Sequence, residues 1–566
     1  MHYISTRGDE TRFTSAQAIR QGIAPDGGLL VPEYLPEVSI EEITDLAGVD
    51  YVARAVRILS LFLTDYSSEE LRQYAEEAYN EEHFNTQAAP LVQLNKYNDR
   101  EYMLELWHGP TAAFKDMALQ LLPHLLTAAL EKTGEPCQVC ILTATSGDTG
   151  KAALAGFCNV PGTSVIVFYP SKGVSEAQRL QMVTQEGDNL AVIAVNGNFD
   201  DAQTGVKQIF ADTELTAELK QKGIFLSSAN SINWGRLAPQ IVYYFSAYAD
   251  LIQLGRIEAG EPVNFVVPTG NFGNILAGYY ARRMGLPVNK LICASNSNRV
   301  LSDFIRDGVY KSRREFIRTV SPSMDILVSS NLERLLFELN GRDSAKIAEW
   351  MNALQETGSY SIDRQTLRQL QEAVVGGYAD DAGTLKTIRE IYDRTDHLVD
   401  THTAVGFNVY GRYVGRSNDP SKTIFVSTAS PFKFINAVGD ALYGNGYSKG
   451  RSEATLLHQL AEESGMEIPA TLLDLNSKPI LHTRVIQKEE MRETVVDLLL
   501  TTKKEAGTEK RTDLETAIAA ESAISEDKLI AEESAFDAED ELSADPAIAE
   551  ESAFDAEDEF SAEAGE

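Results

Sequence analysis

The chain reads LELWHGPTAAFKD from Leu104 to Asp116, a stretch in which one lysine stands between an aromatic and an acidic residue. The next residues, 117–126, repeat apolar positions at helical spacing, which predicts that Lys115 lies in the opening turn of a buried helix. A helix N-terminus and apolar surroundings both disfavour the ammonium form, so the pKa of Lys115 should be lowered and its amine should be nucleophilic. An imine-forming lysine needs these properties. The alternative is a helix-start lysine whose ammonium group reaches solvent.

Two later segments each place a small polar turn between an apolar strand and a helix. The first turn reads TSGDTG at residues 145–150, and the second reads PTGNFGN at residues 268–274. Backbone N–H groups at a helix N-terminus bind anions, and the glycines of the second turn allow close approach of a phosphate. The second turn is neither a Walker loop nor a GxGxxG motif. Either turn alone is compatible with a simple strand-to-helix connection.

The lysine and the two turns are more informative together, because they suit a cofactor with an aldehyde and a phosphate and a substrate with a carboxylate. The motifs resemble those of threonine synthases, which are pyridoxal-phosphate enzymes of the tryptophan-synthase-β fold type. Two positions depart from the family pattern: Lys151 stands where a small residue is commoner, and Ser430 stands where histidine is more usual. Further matching stretches follow in order over roughly residues 1 to 500: 3–8, 22–32, 230–236, 321–326, 402–406 and 426–434.

The resemblance implies an α/β protein of pyridoxal-phosphate fold type II, with two lobes, the cofactor between them and the first turn on the smaller lobe. Apolar strands alternate with helical patterns from about residue 91 to 500, which itself predicts parallel βα units. We expect an N-terminal cap domain over residues 1–95 and a catalytic region over 96–504. A polar helical insertion is predicted at about 343–395, and a disordered acidic tail over 505–566.

The resemblance also implies which residues bind pyridoxal 5′-phosphate. Lys115 would hold the cofactor covalently and would act as the base at the substrate Cα. Thr428 would face the pyridine nitrogen, and Asp148 would lie near the 3′ oxygen, although an aspartate here can also serve as a helix N-cap. The second turn would bind the cofactor phosphate through Gly270, Asn271, Phe272, Gly273 and Asn274.

For the substrate, the resemblance implies O-phospho-L-homoserine, which with water gives L-threonine and phosphate. Thr145, Ser146 and Thr149 would bind its carboxylate. Because the body of the chain is acidic, local cations must bind the substrate phosphate, although each candidate can also be an ordinary surface or supporting charge. The candidate cations are Arg236, Arg299 and Lys433.

Two other functions remain open on the sequence alone. A phospho-lyase on the same scaffold would release ammonia, phosphate and a 2-oxo acid, and a product assay for threonine against 2-oxobutanoate separates the two activities. A non-catalytic interaction protein would keep the fold and use the acidic tail for docking. Retention of Lys115 and of both turns argues against this third function.

Composition narrows the class further. The chain has 566 residues, 43% hydrophobic and 24% charged, which is enough for a sizeable core in two or three domains. Four cysteines argue against a disulfide scaffold, and the CxxC of Cys137 and Cys140 lies in an apolar strand, which indicates buried thiols. The eight histidines lack metal-ligand spacing, so no metal is expected. We expect no export signal and no membrane span, which favours the cytoplasm.

The net charge of −34 is unevenly distributed. Residues 511–566 contain 20 acidic and two basic residues, and the remaining 510 residues carry −16. An acidic body argues against partners such as nucleic acid or anionic membranes. The tail repeats the sequence IAEESAFDAEDE at 530–541 and 548–559, and its dense like charge predicts disorder. The tail is either a solvating extension or a docking arm for a protein partner.

Overall fold

Strands and helices alternate along most of the chain, as the apolar pattern predicts. The computed structural model describes residues 1–501 apart from 85–86, 96–97, 135–136, 146, 173 and 474. The predicted disorder of the acidic tail concerns residues outside this described part of the chain. One unit runs from Met1 to Val495, and a second unit begins at Val496.

The strands are numbered in chain order. They are β1 (Tyr3–Ser5), β2 (Leu30–Pro32), β3 (Leu91–Asn95), β4 (Asn98–Glu105), β5 (Gln138–Ala144), β6 (Thr163–Pro170), β7 (Leu190–Asn196), β8 (Ile224–Ser227), β9 (Val263–Pro268), β10 (Val288–Ser295), β11 (Val309–Lys311), β12 (Ser359–Ser361), β13 (Val374–Tyr378), β14 (Thr423–Ser427) and β15 (Val485–Gln487).

The α-helices are numbered in the same way. They are α1 (Ser15–Gln21), α2 (Ile40–Asp45), α3 (Tyr51–Leu59), α4 (Ser68–Ala78), α5 (Asp116–Leu119), α6 (Leu122–Lys132), α7 (Asp148–Gly156), α8 (Glu176–Val183), α9 (Phe199–Ala211), α10 (Thr213–Gln221), α11 (Trp234–Gln253), α12 (Gly273–Arg283), α13 (Val300–Asp307), α14 (Leu332–Leu339), α15 (Ser344–Thr357), α16 (Arg364–Ala373), α17 (Asp381–Thr395), α18 (Thr401–Ser417), α19 (Ile435–Tyr443), α20 (Glu453–Ser464) and α21 (Met491–Val496).

Two sheets form the cores of two lobes. The larger sheet has the strand order β13-β10-β9-β14-β4-β3, and its neighbouring strands are parallel except for β3 and β4. The central strands β9 and β14 are buried along their whole length, which explains their almost uninterrupted apolar sequences. The smaller sheet, in the order β15-β7-β6-β5-β8, is parallel throughout. The predicted two-lobed α/β fold is therefore confirmed.

The N-terminal residues share a core with the larger lobe. Strands β1 and β2 form an antiparallel pair, and helices α1 to α4 follow them. The rings of Tyr3 and Phe62 contact that of Trp234 at the start of α11, with centroid separations of 5.3 and 5.5 Å. Aromatic contacts of this kind stabilise a packed interface beyond the area they bury. Among the described residues, no helix combines the length and apolar character needed to cross a membrane.

The sequence predicts a polar helical insertion at 343–395, but the structure also places two strands there. Helices α15, α16 and α17 lie in this range, as does β12, which pairs with β11. The second strand, β13, extends the larger sheet by pairing in parallel with β10. Two consecutive glycines conceal this strand in the sequence. They are needed because neighbouring helices cover both faces closely: a Cβ atom on Gly377 would lie 2.5 Å from the Val409 side chain.

The helix predicted to begin at Lys115 is divided in two. Lys115 immediately precedes α5, which ends after four residues, and α6 begins at Leu122. Pro123 lies in the first turn of α6, where its missing N–H costs nothing. A continuous helix would instead have needed that N–H as a donor. The prediction of a helix start at Lys115 is confirmed, but that of one long helix is wrong.

Candidate active site

The predicted site residues follow the carboxyl ends of parallel strands from both sheets. Lys115 lies in the segment after β4, and Asp148 lies in the turn after β5. Gly270 follows β9, and Thr428 follows β14 directly. In open parallel sheets, ligands bind outside the carboxyl ends of the strands because the intervening loops converge there.

A buried carboxylate lies between two buried ammonium groups at the centre of this region. Asp148 Oδ1 is 2.8 Å from Lys433 Nζ, and Asp148 Oδ2 is 3.4 Å from Lys115 Nζ. The exposed fractions of these residues are only 5% for Asp148, 3% for Lys433 and 9% for Lys115. One carboxylate therefore balances two cations, and the cluster keeps an excess of positive charge that suits an anionic ligand.

The ionisation of the cluster follows from burial and from the neighbouring charges. Burial lowers the pKa of Lys115, Asp148 opposes this effect, and the cations of Lys433 and Arg236 add to the lowering. Burial alone would raise the pKa of Asp148, but the two lysines outweigh it and hold that pKa well below its ordinary value. The lowered pKa predicted for Lys115 is confirmed in direction. Its amine is closer to the neutral, nucleophilic form than that of a surface lysine.

Asp148 is not the helix N-cap that the sequence left as an alternative. The N-cap of α7 is Gly147, whose φ of 142° a side chain would rarely adopt. Two further side chains donate to Asp148: Gln178 Nε2 to Oδ1 at 3.0 Å, and Ser323 Oγ to Oδ2 at 2.9 Å. With the two lysines, these donors occupy both oxygens of the carboxylate and fix its orientation.

A buried histidine holds Ser323 in place. His402 Nδ1 is 2.8 Å from Asp400 Oδ1, and the backbone N–H of Ser323 donates to His402 Nε2 at 3.1 Å. Nε2 can accept only in the neutral ring, so Nδ1 carries the proton and donates to Asp400. Sequence reasoning assigned no role to Gln178, Ser323 or His402. For the last two, the available signal was their position inside stretches that match the family.

The segment before Lys115 is joined to the segment that carries Thr428. The N–H of Phe114 donates to the carbonyl oxygen of Thr428 at 2.8 Å, and Ala113 and Ala429 form an antiparallel bridge. Thr428 is buried, with 6% of its surface exposed. These backbone bonds place Thr428 beside Lys115 although 313 residues separate them in the sequence.

The first turn is stabilised by its own leading threonine. Thr145 Oγ1 accepts hydrogen bonds from the N–H groups of Gly147 and Gly150 at 2.9 and 3.0 Å. This oxygen therefore serves the local turn, which the expectation of a carboxylate-binding Thr145 did not foresee. Thr149 is half-buried in the first turn of α7, and Ser146 lies outside the described residues.

The second turn leads into α12, and its unusual backbone is not at a glycine. Phe272, the N-cap of α12, has a φ of 64° and makes no side-chain capping hydrogen bond. Gly270 instead allows the turn to pass close to the backbone of Ser323, since a Cβ atom on Gly270 would lie 2.9 Å from the Ser323 backbone oxygen. Asn271 is exposed, and its carbonyl oxygen accepts from the backbone and side-chain nitrogens of Asn331, each at 3.1 Å.

A buried amide donor at this turn lacks a partner. Asn274 is 7% exposed, and its Nδ2 makes no hydrogen bond among the described residues. The first N–H groups of a helix also have no intrahelical acceptor. An uncapped helix N-terminus with a free amide beside it offers several donors to an anion and fits a phosphate group.

A fully buried arginine supports the second turn from behind. Arg334 donates to the Asn331 side chain at 2.6 Å, and Asn331 in turn binds the carbonyl of Asn271. The other nitrogens of Arg334 donate to the backbone oxygens of Leu30 and Ile232 at 2.6 to 3.1 Å. The turn is thereby connected to β2 near the N-terminus of the chain.

The three candidate cations for a substrate phosphate differ in their surroundings. Lys433 belongs to the central cluster, and its Nζ also donates to the carbonyl of Thr111 at 2.9 Å. Arg236 is buried in the first turn of α11, where burial lowers its pKa to about 10. Arg299 is different: its side chain is 43% exposed, and it lies 3.7 Å from Asp303 and against the ring of Tyr378. Among the described residues, it makes no direct contact with the cluster.

Comparison with known proteins agrees with this arrangement. Residues 2–79 match the family model "Threonine synthase N terminus", residues 81–429 match "Pyridoxal-phosphate dependent enzyme", and residues 403–495 match "Threonine synthase, C-terminal". A threonine synthase of Pseudomonas aeruginosa is 42% identical over 445 residues, which are 78% of this chain and 91% of that protein.

The chain belongs to the threonine synthase family.

Two further members of the family show how far the similarity extends. The crystal structure of pyridoxal-phosphate-bound threonine synthase from Brucella melitensis has a TM-score of 0.76 at 36% identity and covers 87% of this chain and 99% of its own. "Threonine synthase-like 1" of Macaca fascicularis is 38% identical over 488 residues, 84% of this chain. The chain spans 63% of the length of that relative.

Pyridoxal phosphate is the cofactor of this family of enzymes. The residues present fit it. The lowered pKa of Lys115 suits an amine that binds an aldehyde, and the unpartnered Asn274 Nδ2 at an uncapped helix N-terminus suits a phosphate. The buried Thr428 beside Lys115 suits the pyridine nitrogen, because a hydroxyl can hydrogen-bond to that atom while leaving it neutral.

Proposed function

We propose that the protein is a threonine synthase, which converts O-phospho-L-homoserine and water to L-threonine and phosphate. The observation that carries this proposal is the buried Lys115–Asp148–Lys433 cluster, in which two ammonium groups share one carboxylate. Covalent binding of the cofactor aldehyde needs only one lysine. A second buried cation within hydrogen-bonding distance of the same aspartate suits a substrate that carries a phosphate of its own.

Lys115 is the acid–base residue in this proposal. Bound pyridoxal phosphate supplies a conjugated ring that stabilises negative charge at the carbon next to the substrate amine. The Lys115 amine, when free of the cofactor, takes the proton from that carbon and later returns it. A further proton leaves Cβ as phosphate departs from Cγ; water then adds at Cβ, and Cγ gains a proton. Its lowered pKa increases the fraction of neutral amine near pH 7, which is the form that accepts a proton.

Asp148 controls where Lys115 and Lys433 point. Its two oxygens face different lysines, so the carboxylate separates the base from the second cation. Ser323 and Gln178 prevent the carboxylate from rotating. In this proposal Asp148 would also hydrogen-bond to the cofactor's 3′ oxygen, which is the role that the family resemblance implies.

Lys433 and Arg236 bind the leaving phosphate in this proposal. Both are buried, and in a low-dielectric environment a cation stabilises a phosphate dianion far more than at the surface. The substrate carboxylate binds at the start of α7, where the N–H groups of Asp148 and Thr149 have no intrahelical acceptor. The Thr149 hydroxyl adds a further donor. Burial of the whole cluster keeps water from competing for these groups.

A product assay tests the proposed activity directly. Full-length protein loaded with pyridoxal phosphate is incubated with O-phospho-L-homoserine, and threonine, 2-oxobutanoate, ammonia and phosphate are quantified. Equal amounts of threonine and phosphate support a threonine synthase. Equal amounts of 2-oxobutanoate, ammonia and phosphate identify a phospho-lyase instead, and no phosphate release refutes both activities.

The three candidate cations give a graded prediction. We expect Lys433→Ala and Arg236→Ala to raise KM for O-phospho-L-homoserine by at least about tenfold, the equivalent of about 1.4 kcal/mol. Arg299→Ala should change this KM less than about twofold, because a solvent-exposed arginine that already pairs with an aspartate contributes little to binding. Steady-state kinetics with saturating cofactor measure the effect. A larger effect of Arg299→Ala than of the other two would place the phosphate site elsewhere.

Close approach at the second turn gives a prediction for cofactor binding. A Cβ atom on Gly273 would lie 3.3 Å from the Ser231 side chain, which is a tight contact, and 3.5 Å from Asn331 Nδ2, so the two further methyl groups of valine would crowd these neighbours. We expect Gly273→Val to raise the Kd of pyridoxal phosphate by more than about tenfold. Gly411→Val is the control, because a Cβ atom on that helical glycine meets nothing within 4 Å. Equal effects of the two variants would contradict the prediction.

A further inference from the structure

Two adjacent tyrosines contact the amide of Asn274. The hydroxyl groups of Tyr243 and Tyr244 each lie 2.8 Å from Asn274 Oδ1. Both tyrosines belong to α11 and are completely buried. A carbonyl oxygen has two lone pairs, so two donors satisfy it fully. The other end of the same amide, Nδ2, is left without a partner among the described residues.

The two tyrosine hydroxyls and the group at the second turn together decide the direction of this amide. Rotation by 180° would turn Oδ1 towards the turn, and the tyrosines would then accept from Nδ2. They have other acceptors within reach for their own protons, Gln240 Oε1 for Tyr243 at 3.2 Å and the Asn274 backbone oxygen for Tyr244 at 3.0 Å. A phosphate ester near pH 7 offers mainly acceptors, so it favours the orientation in which Nδ2 faces the turn.

We propose that Tyr243 and Tyr244 are positioning residues that orient Asn274 so that its amide N–H donates to the cofactor phosphate. Through this orientation, they select phosphorylated over unphosphorylated pyridoxal. The inference rests on the proposed phosphate site at residues 270–274. It extends that site to a second layer of side chains that do not touch the ligand themselves.

The surroundings of the tyrosines suit such a role. Burial raises the pKa of both hydroxyls well above their ordinary value, so they are protonated donors near neutral pH. The two rings lie 5.1 Å apart, and the ring of Tyr244 also packs against Phe265 of β9 at 4.8 Å. Their positions are therefore fixed by the core before any ligand binds. Pre-organised donors of this kind lower the cost of binding an anion.

The test compares two ligands on the same variants. Full-length Tyr243→Phe, Tyr244→Phe and the double variant are stripped of cofactor and titrated with pyridoxal phosphate and with pyridoxal, following the visible absorbance. We expect each single variant to weaken pyridoxal phosphate by about five- to tenfold and the double variant by about thirtyfold or more. The affinity for pyridoxal should change less than about twofold, since it has no phosphate to bind. Equal losses for both ligands, or no loss for either, would overturn the inference.

A matched control separates this effect from a general loss of buried hydroxyls. Tyr280 on α12 is also completely buried, but its hydroxyl has no hydrogen-bond partner among the described residues. Tyr280→Phe should leave both affinities unchanged. Thermal unfolding of all variants identifies any that are destabilised. Those variants are titrated at low temperature, where they are folded, and the ratio of their affinities for pyridoxal phosphate and pyridoxal is compared with that of the wild type.

One further variant distinguishes failure of this inference from failure of the proposed site. Asn274→Asp keeps the shape but places an acceptor where Nδ2 was, and it should weaken pyridoxal phosphate by about a hundredfold or more. If Asn274→Asp has this effect and the tyrosine variants have none, the site stands and the positioning role is wrong. If Asn274→Asp leaves the affinity unchanged, the phosphate binds elsewhere and both are wrong.

Discussion

Replacing Lys115 with alanine should abolish turnover and the visible absorbance of the bound cofactor, while the protein stays folded. In the proposed mechanism two effects combine in this loss: the covalent attachment point of the cofactor disappears, and so does the base that moves the Cα proton. Removal of a general base alone typically costs about 10² to 10⁴-fold in rate, so we expect kcat to fall by at least about 10³-fold. A difference spectrum and the product assay measure the two effects separately.

The fold should survive this change because the lysine stabilises little by itself. Its ammonium group is buried beside a second cation, so its removal leaves Asp148 paired with Lys433. Lys132→Ala is the matched control, since Lys132 lies on the next helix, α6, and pairs with Glu70 near the surface. Normal turnover in the Lys115→Ala protein would show that another residue holds the cofactor. An equal loss in the control would show that the effect is not specific to Lys115.

Replacing Asp148 with asparagine should have the largest effect on stability. The change leaves two buried ammonium groups without their shared counter-ion, and breaking a buried ion pair in this way typically costs about 3 to 5 kcal/mol. We expect the free energy of unfolding at pH 7 to fall by roughly this amount, as measured by urea denaturation. Activity should fall with it, since the carboxylate no longer holds Lys433 away from Lys115.

The same variant predicts a change in acid stability. The pKa of Asp148 in the folded protein lies below its ordinary value of 3.8, so its stabilising effect is complete above that value and is lost as the pH falls through the folded pKa. The difference between wild type and Asp148→Asn should thus be constant from about pH 5 to 7 and should narrow below about pH 4. A difference that grows towards acid pH would contradict the assignment.

Asp303→Asn is a useful comparison for these measurements. Three arginines contact Asp303, at 2.6 to 3.7 Å, but their side chains are 26 to 62% exposed. Solvent screens such pairs, so the change should cost less than about 1 kcal/mol in spite of the larger number of cations. Burial, more than the count of partners, sets the cost at Asp148.

The sequence was sufficient to predict the elements that present the site. The helix start at Lys115 and the turns after β5 and β9 follow from local patterns: an apolar period, small residues and the approach of a helix. Local pattern did not reveal the break between α5 and α6, although Pro123 marks it in retrospect. The glycines of β13 concealed an edge strand for a similar reason, because they lower strand propensity while serving tertiary packing.

The partners of the site residues were harder to predict, because they come from distant parts of the chain. Lys433 meets Asp148 across 285 residues, and Ser323 meets it across 175. No periodicity or spacing relates such positions, so a sequence can suggest that Lys433 binds an anion but not that it shares a carboxylate with Lys115. The exposed position of Arg299 was hidden in the same way, since burial depends on the packing of elements remote in sequence.

The connection from Arg334 to the carbonyl of Leu30 limits how this molecule can be divided. Its hydrogen bonds run from β2 through Asn331 to the turn at Asn271, so a backbone atom near the N-terminus helps to hold the loop that we propose binds the cofactor phosphate. The two family segments that meet near residue 80 are therefore not structurally independent of each other. Exchange of the N-terminal segment between relatives would preserve catalysis only where the hydrogen bond between the arginine at position 334 and the carbonyl oxygen at position 30 can still form. Recombination in this lineage should accordingly favour inheritance of the two segments as one block.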